Sequence, residues 1–294
     1  MTLAVYVHDM SPFLVRFGGN IGLRWYGLAY VGAFLCAWGI MRALARRKLG
    51  PLHLNQTSDF ITWTAMFGVL LGGRLGYVLF YGFDHFLRDP LYVFRVWEGG
   101  MASHGGVLGI MIFTWWYSRK HRCSWTGLGD NLVVAATPGL FLGRIANFIN
   151  GELYGRPSDV PWAVVFPKEV LEVDTPAAGR VWARIAEALP GTSDLAAVVQ
   201  TSPRPEEINR ILAEELAPRH PSQLYEGMLE GLVLFAILWL VRTRFRTPNG
   251  LVTGLFFVLY AIFRIVVEQF REPDAPGIAM FTRGQFLSLF MLVA

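Results

Sequence analysis

The chain has 294 residues, is 53% hydrophobic and only 16% charged, whereas a soluble domain carries about 25% charged residues. With a mean hydropathy of +0.39, this excludes an ordinary soluble domain and points to a polytopic membrane protein. The net charge of +4 sits in short clusters between apolar runs rather than as a continuous basic stripe, so no nucleic acid is expected as a partner.

The N-terminus holds Asp9 and no basic stretch ahead of an apolar segment, so no cleavable signal peptide is expected. Six apolar runs of spanning or near-spanning length follow, at 23–41, 60–80, 104–117, 128–148, 224–241 and 251–267. A seventh starts near Gln285 and reaches Ala294. It is too short to cross a hydrocarbon core of about 30 Å, so it is either cut short, the preferred reading, or a helix that does not span. The expected fold class is therefore all-α, a seven-span helical bundle. Bundle segments at 1–149 and 223–294 flank a head or lid at 150–222, which is rich in Pro, Glu and Asp. Within that head a strand is expected at 162–166 and a helix at 205–216. A segment of that length without spans suggests a functional role.

Basic residues fix the expected orientation. Arg42, Arg46, Arg47 and Lys48 follow the first run, Arg119, Lys120 and Arg122 the third, and Arg242, Arg244 and Arg246 the fifth. The positive-inside rule puts these loops in the cytoplasm, and the N-terminus and head outside. The 31 glycines suit close helix packing in lipid, and the ten Trp and ten Tyr suit interfacial belts. Of the two cysteines, Cys36 lies in an apolar run and Cys123 in a basic loop, which argues against a disulfide framework or a zinc site. No metal-ligand spacing and no P-loop pattern occurs, so no cofactor is expected.

The polar residues inside the runs carry the functional signal, because ionisable groups in a membrane are costly and usually functional. Segment 143–157, GRIANFINGELYGRP, brings Arg144, Asn147, Asn150, Glu152 and Arg156 to the end of the fourth run. Counting from residue 128 at 1.5 Å per residue places Arg144 roughly 24 Å across the membrane. Arg264 is roughly 21 Å along the sixth run by the same count, with Glu268 and Arg271 beyond it. His104 and Tyr26 open the third and first runs, at the same outer depth. Tyr260, Arg264, Glu268 and Arg271 are expected on one helical stripe, either facing a substrate or forming a structural ion ladder. Four arginines (144, 156, 264 and 271) against Glu152 and Glu268 leave a positive excess that an anionic guest would balance, and arginine grips phosphate in two-pronged fashion. Asn147 shares a face with Arg144, as a substrate contact or as a tie between helices. Glu152 and Arg156 either act on substrate or brace the turn. His104, followed by two glycines, is the natural proton acceptor at neutral pH or a satisfied helix-end polar group. His220 is read as packing and capping, and Tyr26 as a belt residue or a substrate donor.

These segments, together with Gly72-Gly73-Arg74-Leu75-Gly76-Tyr77, His104-Gly105-Gly106, the 220–226 stretch HPSQLYE and Gly284-Gln285-Phe286-Leu287-Ser288, resemble the prolipoprotein diacylglyceryl transferase family of bacteria. The blocks occur in family order over nearly the whole chain; residues 168–219 match no motif, and the short last run departs from the family's seven helices. The resemblance implies a multi-pass enzyme of the bacterial cytoplasmic (inner) membrane with a periplasmic head and its active site toward the periplasm. It implies transfer of the diacylglyceryl group of phosphatidylglycerol to the lipobox cysteine of a prolipoprotein signal peptide, forming a thioether and releasing glycerol 1-phosphate. It further implies catalytic roles for His104, Arg144 and Arg264, and phosphatidylglycerol contacts from Tyr26, Arg144, Asn147, Glu152, Arg264, Glu268 and Arg271. The rival reading is a transporter or flippase that uses the same arginines only to bind an anionic lipid; no internal repeat supports it. An intramembrane protease lacks its aspartate pair, and a scaffold leaves the shared depth of the polar groups unexplained.

Overall fold

The computed structural model describes residues 5–18, 21–172, 176–192 and 194–272. The seventh apolar run at 285–294 lies outside them. Each of the six remaining runs forms a long helix: α1 (Trp25–Arg46), α2 (Leu54–Phe80), α3 (Ser103–Lys120), α4 (Trp125–Ile149), α5 (Ser222–Arg244) and α6 (Leu251–Val267). Helices α1, α2, α4 and α5 are long and apolar enough to cross a membrane, and α6 is a shorter apolar helix. Apolar side chains that protein leaves uncovered, such as Leu35, Leu70, Leu79, Ile112 and Leu240, suit a hydrocarbon surround. The chain is thus a mostly helical, multi-pass membrane protein.

It divides into two compact units, one of 1–33, 137–236 and 257–294, the other of 34–136 and 237–256. In the first, β1 (Tyr6–Val7) pairs in parallel with β4 (Val164–Val165), and β2 (Phe13–Gly18) with β3 (Ile21–Arg24) as an antiparallel hairpin. Val165, Val181, Ile185, Ile208 and Leu212 share a small apolar core. Helices Pro176–Ala188 and Glu206–Glu215 supply most of it, each with apolar residues three and four apart on one face. A forked pair joins Arg219 to Glu169 at 2.7 Å on both prongs.

In the second unit α2 and α3 cross on glycine. A Cβ on Gly105 would stand 2.5 Å from the Gly72 carbonyl oxygen and 2.7 Å from the Gly76 Cα. Small residues here allow the backbones to meet, the usual means of helix association in lipid. The conspicuous glycines at 72, 76 and 105 are therefore contact surfaces. Buried Arg74 donates to the carbonyls of Tyr92, Val93, Arg95, Gly99 and Gly100 and so organises the loop after α2. At the other end of this unit buried Asp130 accepts from the amides of Gly250 and Thr253 at 2.9 and 2.8 Å, capping α6.

Candidate active site

The first unit gathers charge where α4, α5 and α6 end or pass. Glu226 is fully buried, and its carboxylate receives three guanidiniums. Arg144 Nη2 stands 2.7 Å from Glu226 Oε2, Arg264 Nη1 2.9 Å from the same oxygen, and Arg271 Nη1 3.0 Å from Oε1. Glu230, one turn along α5 and 1% exposed, is 3.7 Å from both Arg144 and Arg264. Glu268 Oε2 approaches Arg264 Nη2 at 3.1 Å.

Local sequence explains the convergence. Gly227 and Gly231 are spaced four apart on α5, in a wide-turned stretch from Gly227 to Val233. A Cβ on Gly231 would lie 2.6 Å from that of Phe141, and one on Gly227 3.3 Å from that of Arg144. The bare glycine face lets α5 touch α4, which sets Glu226 and Glu230 beside Arg144.

A second polar chain runs alongside. Asn147, buried and one turn after Arg144, donates its amide to the Tyr26 hydroxyl at 2.7 Å and to Glu152 Oε1 at 2.9 Å. Lys168 holds the other oxygen of Glu152 at 3.1 Å, and Gln223 donates to the Glu152 carbonyl at 2.8 Å. Gly151, at φ +64°, makes the turn out of α4. Arg156 donates to the carbonyl of Arg271 at 3.0 Å, and Gly155 bridges Arg271 in antiparallel fashion.

The structure thus brings Tyr26, Asn147 and Glu152 together in one chain, and Arg144, Arg264, Glu268 and Arg271 in one cluster. His104 stands exposed in the first turn of α3, in the other unit. His220 packs edge-on to Tyr225 and Phe270, with Nδ1 3.2 Å from the Tyr225 hydroxyl. Burial lowers its pKa.

Two expectations are corrected. Tyr260, Arg264, Glu268 and Arg271 do not share one helical stripe to the end, because α6 stops at Val267 and Arg271 sits in the bridge to Gly155. Pro273, two residues past Arg271, is a sequence sign that the helix must end. The arginine excess also disappears. Glu226 and Glu230 enter the cluster, so three arginines face Glu226, Glu230 and Glu268, and their formal charges cancel. Glu226, Glu230 and Lys168 join the site without having been expected there from the sequence. The signal for the first two was available: acids in an apolar run, framed by Gly227 and Gly231. Lys168 carries no such mark, since it meets Glu152 only through tertiary folding.

A charge-balanced cluster of partly buried arginines on buried acids inside a multi-pass helical protein defines a membrane protein with an internal polar site. A profile of the family described as Prolipoprotein diacylglyceryl transferase matches residues 12–294. A phosphatidylglycerol–prolipoprotein diacylglyceryl transferase of Rhodospirillum centenum is 44% identical over 290 residues, covering 97% of this chain and 88% of its own. Enzymes of that name from Ruegeria pomeroyi and Xylella fastidiosa are 41% and 42% identical, covering 97% and 98% of this chain and 92% and 91% of theirs. The chain belongs to the prolipoprotein diacylglyceryl transferase family.

Proposed function

We propose that this chain transfers the diacylglyceryl group of phosphatidylglycerol to the cysteine thiol of a prolipoprotein lipobox. The sulfur attacks the glycerol carbon that bears the phosphate, a thioether forms, and glycerol 1-phosphate leaves. The observation that carries the site assignment is the meeting of Arg144 and Arg264 on a single carboxylate oxygen, at 2.7 and 2.9 Å. Two guanidiniums that converge on one anionic oxygen are spaced to hold a phosphodiester in its place. There they would neutralise charge growing on the leaving oxygen.

The remaining roles follow from the same picture. Arg271 and Glu268 brace the arginines, and Tyr26, Asn147 and Glu152 form the polar wall on which the headgroup rests. A free thiol has a pKa of about 8.5 and needs help to ionise. His104 takes that proton in this reading. The bundle has seven spans in the cytoplasmic membrane of a bacterium, with the N-terminus outside. The 150–222 segment is a periplasmic head over a site that opens toward the periplasm. The lipid tails stay in hydrocarbon while the signal peptide enters between helices.

Incubating the purified protein with phosphatidylglycerol and a synthetic lipobox peptide tests the reading. Mass spectrometry should show the peptide heavier by one diacylglyceryl group on its cysteine. Lipid movement between leaflets with no modified peptide would reject transfer in favour of lipid transport.

A further inference from the structure

Glu230 is the acid that the transfer reaction leaves without a task. It is 1% exposed, and its Oε1 accepts no hydrogen bond. Its nearest cationic nitrogens, on Arg144 and Arg264, stand 3.7 Å away. Glu226, by contrast, has both oxygens committed to guanidinium donors at 2.7 to 3.1 Å. Glu268 Oε2, also without a well-aligned hydrogen bond, has Arg264 at 3.1 Å. Of the three carboxylates, Glu230 alone is held by charge at a distance.

Among the described residues the cluster is formally neutral, and a phosphodiester carries one negative charge. When the phosphate takes the donors of Arg144 and Arg264, it displaces Glu226 from them and leaves a net negative charge in a buried site. An uncompensated buried charge costs several kcal/mol, and the ordinary relief is for a nearby group to change protonation. The groups facing Glu230 are Arg144 from α4, Arg264 and Tyr260 from α6, Arg271 beyond it, and Glu226 on its own helix. The arginines keep their protons under any ordinary condition. Glu230 Oε1 and Glu268 Oε2 both lack a hydrogen bond, but Glu268 Oε2 keeps Arg264 at 3.1 Å, whereas the guanidiniums stand 3.7 Å from Glu230, which makes Glu230 the carboxylate better placed to take one. Resting on the phosphate-clamp reading above, we infer that binding of the lipid phosphodiester draws one proton from solvent onto Glu230, which is released again when the phosphate leaves.

Calorimetric titration of the detergent-solubilised protein with phosphatidylglycerol, in buffers of different ionisation enthalpy, counts protons directly. Where Glu230 is ionised in the free protein and protonated in the complex, the wild type should take up about one proton per lipid, and its affinity should fall about tenfold for each unit by which the pH rises. Glu230→Gln should still bind the lipid but take up none. No proton uptake by the wild type overturns the coupling, and undiminished uptake in Glu230→Gln overturns the assignment to this residue. Difference infrared spectra of the wild type give a check that needs no variant: lipid addition should create a protonated-carboxyl band, and its absence overturns the proposal. If the wild type binds phosphatidylglycerol no better than phosphatidylcholine, the clamp reading fails first and takes this inference with it.

Discussion

Arg144 is the most solvent-open member of the cluster, with its side chain 21% exposed against 13% for Arg264 and 4% for Arg271. In the proposed clamp it is therefore the guanidinium that an incoming phosphate would meet first. Arg144→Lys keeps the charge that balances Glu226 but loses the planar fork. Transfer should fall by two to three orders of magnitude, about 3–4 kcal/mol of barrier, while the purified protein keeps its helical circular dichroism. Unchanged transfer would remove Arg144 from the clamp. Alanine is the poorer test, because it removes one of the three guanidiniums on Glu226 and leaves a buried cluster with excess negative charge, so loss of transfer would be mixed with loss of stability. His104 sits on a different unit and has a different expected signature. His104→Asn should lower single-turnover rate more than phosphatidylglycerol affinity, and equal losses would remove it as the proton acceptor. At this scale the sequence was readable for residues that announce themselves as charges inside apolar runs. The charge balance was not legible, because the segments that carry the arginines hold only part of the acid that meets them. Glu226 and Glu230 belong to a third helix, and only its packing reveals that they share the site.

Helix contacts decide whether those charges meet at all. Gly231 touches Phe141 so closely that any side chain must push α5 from α4. Gly231→Val should cost about 1–3 kcal/mol in thermal denaturation in detergent, and should lower transfer because Arg144 and Glu226 lose register. Gly254 on α6 has nothing within 4 Å of a built Cβ, so Gly254→Ala should be neutral or slightly stabilising and serves as the control. The end of α4 depends on a different support. His8 follows β1, donates its amide to Val165 at 2.8 Å, stacks on Phe166 and lies beside Gly151. Burial lowers its pKa from the ordinary 6.5, against a hydrogen bond to the Phe148 carbonyl and with help from Arg204. The folded state thus holds this imidazole neutral. Its stabilisation is complete above that ordinary value and is lost as the pH falls through the lowered one. Once the base-catalysed intrinsic rate is divided out, the hydrogen-exchange protection of residues 6–8 and 164–165 should fall on acidification from about pH 7.5 to about pH 5.5, and His8→Gln should flatten that dependence. A flat profile in the native chain would show that His8 does not anchor the strand. The six apolar runs and the short helix at Glu206–Glu215 were legible because periodicity and hydropathy are local. The exit of Arg271 from α6 was not, because its bridge to Gly155 joins segments more than a hundred residues apart.

Across the whole molecule two sets of basic residues have different work. Arg144, Arg264 and Arg271 are matched by buried acids and build the site. The clusters at 42–48, 119–122 and 242–246 lie at the ends of α1, α3 and α5, the pattern from which the positive-inside rule reads topology, and of these Arg242 also faces buried Asp130 at 4.0 Å. If those loops are cytoplasmic, α4 rises outward toward Arg144 and α6 toward Arg264, so both reach the leaflet where a secreted prolipoprotein presents its cysteine. That orientation is measurable without any assay of activity. In a background with Cys36→Ala and Cys123→Ser, a cysteine placed at Lys120 should react with a membrane-impermeant maleimide only after spheroplasts are permeabilised. A cysteine placed at Glu187, exposed on the helix Pro176–Ala188, should react in intact spheroplasts. The opposite pattern would put the arginine cluster near the cytoplasmic leaflet. The clamp could then still hold a phosphatidylglycerol headgroup, but a lipobox emerging on the far side of the membrane could not reach it.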